Sequence, residues 1–209
     1  MPKGSEELTN ARKQEIINAC ASLYETMSFK EITIKEIGKA TSFTRTSIYN
    51  YFQTKEEIFL ALLQQEYELW CEDLTKMHDV YEKMSVEDFS KNLAHTLENR
   101  ERLLKIMSMN HYDMESNSRM DNLVEFKIVY GNSIRCVTRC LEKFFPTMTV
   151  NDIQNFIYAF FPFLFGIYPY TFVTNKQKEA MEKAKANYVF LSMFEITYSI
   201  IVKLLQGFE

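Results

Sequence analysis

Residues 33 to 55, TIKEIGKATSFTRTSIYNYFQTK, decide the reading of this chain. Thr33 places a hydroxyl where it can cap the first free amides of a helix, and Glu36, three residues on, completes a capping box, so a short helix is predicted from Thr33 to about Ala40. Thr44 opens a second short helix over Arg45 to Phe52, in which Ile48 and Phe52 fall four apart and share the inward face. The outward face then carries Arg45, Thr46, Tyr49 and Asn50, with Thr44 and Ser47 at its start. Those are hydrogen-bonding groups of the kinds that meet base edges and phosphates in a major groove. Two short helices around a tight turn, the second with a polar outer face, have the layout of a helix-turn-helix.

Working outward, an amphipathic helix over Asn10 to Thr26 puts Ile16, Ile17, Cys20, Leu23 and Tyr24 on one stripe, which can roof Phe29, Ile32, Ile34, Ile37, Ile48 and Phe52. The ten residues before it are polar and are expected to fray. After the motif, Thr54 with Glu57 signals another capped helix to about His78. Further helices are predicted over Val86 to Asn99, Glu101 to Asp113, Ser118 to Phe145, Val150 to Val173 and Lys176 to Gln206. Ser118 with Asp121 and Thr149 with Asp152 are candidate caps.

From about Arg12 to Leu63 the chain resembles the DNA-binding domain of the TetR family of bacterial transcription regulators. TIKEIGKATSF resembles its first motif helix and turn, TRTSIYNYF its recognition helix and TKEEIF the next helix start. The chain departs from the family pattern at Ser42, in the turn, and at Ser28, after the first long helix, where the family usually has Gly. A left-handed Ser would cost about 1 kcal/mol relative to Gly. The resemblance implies an all-α fold, with a DNA-binding domain over 1–53 and a larger effector-binding and dimerisation domain over 54–209. It also implies a homodimeric repressor, released from a palindromic operator by a small molecule.

Composition agrees with this outline. Five Gly and four Pro in 209 residues leave little material for sheets with many turns. The net charge of −4 is unusual for a DNA binder, yet residues 30 to 55 hold Lys30, Lys35, Lys39, Arg45 and Lys55 against Glu31 and Glu36, a local +3. Cys20, Cys71, Cys136 and Cys140 show no CxxC spacing and no nearby histidine pattern, so neither a zinc site nor a disulfide framework nor another cofactor is expected; Cys136 and Cys140, four apart, fall on one helical face as small apolar side chains, with a redox role as the unsupported alternative. The first fifteen residues lack the apolar core of a signal peptide, so a place in the reducing cytoplasm is expected. His78, His95 and His111 accompany no nucleophile motif and no phosphate-cradling loop, so no enzyme is read here.

On the recognition helix, Arg45 and Thr46 are candidates for base edges, and Tyr49 and Asn50 for a thymine methyl, an adenine or a phosphate. Ser47 adds a hydroxyl on the same segment, while Thr33, Thr44, Tyr51 and Lys55 are candidates for phosphates. Met and aromatic residues supply candidates for a pocket taking a small apolar or aromatic effector, namely Trp70, Met107, His111, Tyr112, Phe126, Tyr130 and Tyr168, each also readable as plain core. Pairing through the last two long helices, as the resemblance implies, would place Phe156, Phe160, Phe163, Tyr188, Met193 and Ile196 near a dimer contact, again with core as the alternative. Ile153 to Asn175 carries no charge and has the length of a membrane span, but Pro162, Gly166 and Pro169 interrupt it. A helical membrane-attached or protein-binding module is thus the rival reading, and a buried core or interface helix is preferred over it.

Overall fold

The computed structural model describes residues 3 to 208, with the side chains of 3 to 5 and 109 to 111 outside that description. Among the described residues the chain is all-α: α1 Lys3–Thr26, α2 Ile34–Lys39, α3 Arg45–Ile48, α4 Lys55–Val80, α5 Val86–Glu98, α6 Glu101–Ser116, α7 Met120–Phe144, α8 Val150–Thr171, α9 Asn175–Lys183 and α10 Met193–Leu204. They form two compact units, Met1–Gln65 with Asn110–Tyr130, and Glu66–Met109 with Gly131–Glu209. Position 53/54, where the sequence reading divides the chain, falls inside the first unit.

In the first unit, α1 packs on α2 and α2 on α3. Ile16, Cys20 and Tyr24 of α1, Ile37 of α2, Ile48 and Phe52 are all buried, as the helical spacing predicts. Tyr24 meets Phe59 edge-on at 5.1 Å between ring centres, and Phe29 tilts against the same ring at 4.7 Å. Each such buried side chain contributes about 1.5 to 3 kcal/mol by removal from water, so the small motif is held by its own core.

In the second unit, α5 buries Val86, Phe89, Leu93, Ala94 and Leu97 along one stripe, and α10 packs on both α5 and α8. Trp70 is fully buried, 6.0 Å from the Phe161 ring, with its indole N–H donated to the Thr96 hydroxyl at 3.0 Å. That bond satisfies the one polar atom a buried Trp carries.

Several elements differ from the sequence reading. Helix α1 starts at Lys3 rather than Asn10, with Glu6 in its first turn where the helix dipole favours an acid. The recognition segment is α-helical only over Arg45–Ile48 and continues in tight turns, in which the Asn50 amide reaches the Ser47 carbonyl at 3.2 Å and the Tyr51 amide the Ile48 carbonyl at 2.9 Å. Ser118 does not cap α7, because its hydroxyl donates to the Met114 carbonyl at 2.6 Å. The Thr149 and Asp152 capping box forms as expected.

The largest difference is at the C-terminal end, where one helix over Lys176 to Gln206 is replaced by α9, an irregular stretch and α10. Lys185 turns left-handed at φ 52°, and Ser192 with Glu195 caps a new helix start. The connecting Tyr188, Val189, Phe190 and Leu191 are exposed. Helix α8 runs unbroken through Pro162 and Pro169, both on its exposed face, where a carbonyl left without an amide partner is open to water. Among the described residues no single helix is long and apolar enough to cross a membrane; α8 and α9 reach that composition only together, bent by 82° at their junction.

Candidate nucleic-acid interface

Both motif helices start at their Thr caps. Thr33 accepts from the Glu36 amide at 3.3 Å and Thr44 from the Ser47 amide at 3.3 Å. The second half of the Thr33 box takes another form: the Glu36 carboxylate accepts the Thr33 hydroxyl and the Lys39 ammonium. The Thr33 hydroxyl and then Lys39 hold Glu36 below the usual carboxylate range.

Ser28 and Ser42 solve their turns without left-handed backbone, for among the described residues Lys185 is the non-glycine position with positive φ. Ser42 instead donates its amide to Glu15 of α1 at 2.6 Å, which holds that carboxylate low. Ser28 donates its amide at 2.8 Å and its hydroxyl at 2.7 Å to Glu31. Carboxylates bonded to backbone amides fix these turns where the family pattern uses Gly.

With Ile48 and Phe52 buried, Arg45, Thr46, Tyr49 and Asn50 are exposed together on the opposite side. Arg45 donates to the Tyr49 hydroxyl at 3.1 Å and lies 5.8 Å from the centre of that ring. This contact lines up a guanidinium and an aromatic ring one turn apart on the exposed face. Thr44 and Ser47 exchange a hydrogen bond at 3.0 Å.

Two phosphate candidates are engaged within the unit. Lys55 donates to the Phe29 carbonyl at 2.6 Å with its ammonium 4.1 Å from that ring's centre. The Tyr51 hydroxyl accepts from Arg12 at 3.1 Å. Arg12, on α1, also lies 5.7 Å from the Phe43 ring and brings an exposed cation beside the motif. Sequence reasoning missed it because it lies outside the motif window.

The effector candidates divide between the units. Trp70, Met107 and Tyr168 belong to the second, whereas Tyr112, Phe126 and Tyr130 belong to the first, and the His111 side chain lies outside the described residues. Met107 and Phe126 are buried, Tyr112 is 87% exposed, and Phe126 stacks on Tyr130 at 6.2 Å. Burial, then Glu115, pushes the Tyr130 phenol up. Tyr168 stacks on Phe172 at 4.5 Å, and burial with the nearby Glu101 carboxylate pushes its phenol up to about 12.

Of the dimer candidates, Phe156, Phe160 and Met193 are buried within the chain, Phe163 and Ile196 are half-buried and Tyr188 is exposed. The exposed side of α8 carries Tyr158, Ala159, Pro162, Gly166, Pro169 and Tyr170. Among the described residues no group of three or more His, Cys, Asp or Glu side chains could hold a metal ion.

Two family profiles match the chain. The profile described as "Bacterial regulatory proteins, tetR family" matches residues 16–62, and that described as "Tetracyclin repressor-like, C-terminal domain" matches residues 64–209. The uncharacterized HTH-type transcriptional regulator YfiR of Bacillus subtilis is 29% identical over 63 residues, covering 30% of this chain and 31% of that protein. The HTH-type transcriptional repressor Rv1474c of Mycobacterium tuberculosis is 26% identical over 68 residues, covering 32% and 36%. The matches therefore span about a third of these relatives' length. Over nearly the whole chain the fold is that of FadR from Bacillus halodurans, with TM-score 0.59, 16% identity and coverage of 94% of this chain and 99% of that one. FadR from Bacillus subtilis in complex with stearoyl-CoA gives TM-score 0.59 at 13% identity, covering 94% and 99%. With the two profiles together matching residues 16–62 and 64–209, the chain belongs to the TetR family of bacterial regulators.

Proposed function

We propose that this chain is a cytoplasmic, homodimeric transcriptional repressor that reads a palindromic operator through α3 and releases it when a small apolar effector binds. The observation that carries this reading is the two-sided recognition segment, with Ile48 and Phe52 buried behind the exposed Arg45, Thr46, Tyr49 and Asn50. Arg45 and Thr46 face base edges, Tyr49 and Asn50 the bases or backbone beside them, and Thr33, Thr44 and Ser47 the flanking phosphates. Arg12 joins them as a phosphate contact, in place of Lys55.

One such segment binds weakly, and a symmetric pair reading half-sites about 34 Å apart, or a multiple of that, converts weak contacts into useful affinity. The exposed face of α8 around Ala159, Pro162 and Gly166, with the exposed side of α10, is the proposed pairing surface. Small residues there let two helices approach closely. The effector site is proposed in the second unit, around Trp70, Met107 and Tyr168. A solved neighbour holds stearoyl-CoA, so acyl thioesters belong in the effector screen beside aromatic compounds. An effector lowers operator affinity by as much as it prefers the state that does not bind DNA. No catalytic role is proposed for any residue.

Selection from random duplex DNA by the purified chain, at a stated salt concentration, tests the reading. An enriched inverted repeat is expected. Folded protein that enriches no motif overturns it.

A further inference from the structure

Among the described residues none of the four cysteines is joined in a disulfide, but two of them stand close together on neighbouring helices. Cys71 stands on α4 and Cys136 on α7; both are half-buried, and with Lys143 on the His78 carbonyl and Cys140 on the Leu74 carbonyl the two helices run in a register that sets Cys136 level with Cys71. Cys140, one turn from Cys136, points elsewhere: it is buried, with its thiol directed at the Leu74 carbonyl at 3.7 Å, and burial pushes it up to about 12. Cys136 lines a narrow crevice with Leu74, Thr75, His78 and Arg139. The Thr75 hydroxyl, one turn beyond Cys71, donates to the Cys71 carbonyl at 2.7 Å and lies within hydrogen-bonding reach of Cys136.

We propose that Cys71 and Cys136 form a reversible dithiol–disulfide pair, at which a small hydroperoxide oxidises this chain.

The surroundings divide the labour between the two sulfurs. The neighbouring Cys71 thiol, then the Thr75 hydroxyl and the Arg139 and Arg135 guanidiniums, lower Cys136 to about 6 against the opposing effect of burial. A thiolate in a partly exposed, electropositive setting is the nucleophilic form of cysteine. Cys71 is pushed up by the neighbouring Cys136 sulfur, by burial, by the Cys136 charge and by Glu68, so it stays protonated while Cys136 is ionised.

The Cys136 thiolate attacks one peroxide oxygen; an S–O bond forms, the O–O bond breaks, and the departing alkoxide or hydroxide takes a proton from water. Cys136 is then a neutral sulfenic acid, which removes the negative charge that had held Cys71 protonated. Cys71 loses its proton and attacks the Cys136 sulfur. The S–S bond forms as the S–O bond breaks, and the leaving hydroxide accepts a proton to become water. The pair has given two electrons to the peroxide, and thiol exchange with a dithiol reductant restores both thiols.

The test treats the reduced full-length protein with hydrogen peroxide at neutral pH, blocks remaining thiols and maps peptides without reduction. A peptide linked through Cys71 and Cys136, lost on treatment with dithiothreitol, is expected, together with alkylation of Cys136 about tenfold faster than of Cys71 in the untreated protein. In folded Cys71→Ser protein, dimedone should trap a sulfenic acid at Cys136. Linkage of Cys136 to Cys140, links only between chains, or equal alkylation of Cys71 and Cys136 overturns the proposal. None of these readouts depends on DNA binding, so the pair stands or falls apart from the repressor reading.

Discussion

Arg119 holds the buried carboxylate of Glu57 with two guanidinium nitrogens, at 2.7 and 2.9 Å, and with its own backbone amide at 3.0 Å, across 62 residues of sequence. The same guanidinium donates to the Tyr51 carbonyl at 3.1 Å, and the Thr54 hydroxyl donates to the Asn117 carbonyl at 3.0 Å. The segment joining α6 to α7 thus fastens the end of the recognition segment, which is why residues 110 to 130 belong with the N-terminal unit. Thr54 accepts the Glu57 amide at 3.1 Å, but the Glu57 carboxylate goes to the Gln53 amide and Arg119 instead of closing the capping box.

Arg119→Ala should lower the unfolding free energy by about 3 kcal/mol at neutral pH, because it strands a buried carboxylate. Burial alone would raise Glu57, yet the bonds from Arg119 and the Gln53 amide outweigh it and leave the group below its usual range. A carboxyl depressed in the fold contributes stability above its unfolded pKa of about 4.3, and that contribution is lost as pH falls through the lower folded value. The gap between wild type and variant in urea melts should therefore close under acid conditions. A gap that persists there contradicts the pairing.

Arg45→Ala should weaken binding to the selected operator by about 1 to 3 kcal/mol, roughly five- to 150-fold, and relax preference at one base pair per half-site. Fluorescence anisotropy at fixed salt measures the loss, and sedimentation should show the same assembly as wild type. Unaltered operator affinity would remove Arg45 from base reading.

Lys55→Met separates a structural lysine from a phosphate contact. With its ammonium on the Phe29 carbonyl and ring, the variant should melt earlier by about 1 to 2 kcal/mol. The salt slope of DNA binding should stay unchanged. A slope reduced by about one would show that Lys55 leaves Phe29 and meets a phosphate.

Phe160→Ala and Gly166→Arg should act on different levels. Phe160 is fully buried, so its loss should cost each subunit about 3 to 5 kcal/mol. A Cβ added at Gly166 meets nothing within 4 Å and the position is exposed, so Gly166→Arg should fold and instead split the proposed dimer. Analytical ultracentrifugation beside thermal melts distinguishes them, and an intact Gly166→Arg dimer would move the pairing surface off this face.

What the sequence determined by itself is what depends on neighbours a few residues away. Thr33 and Thr44 cap amides three positions on, and Ile48 and Phe52 share a face because a helix turns every 3.6 residues. Thr149 with Asp152 was readable for the same reason. The C-terminal break was not: helical spacing continues through Tyr188 to Leu191, and nothing local weighs that periodicity against the left-handed turn at Lys185. Tertiary structure alone decided which distant groups meet. It brings Arg119 to Glu57, Lys55 to Phe29 and Cys71, not Cys140, to Cys136. Periodicity reports the direction in which a side chain leaves its own helix, whereas the partner it finds is fixed by how separate helices pack, and that no local spacing encodes.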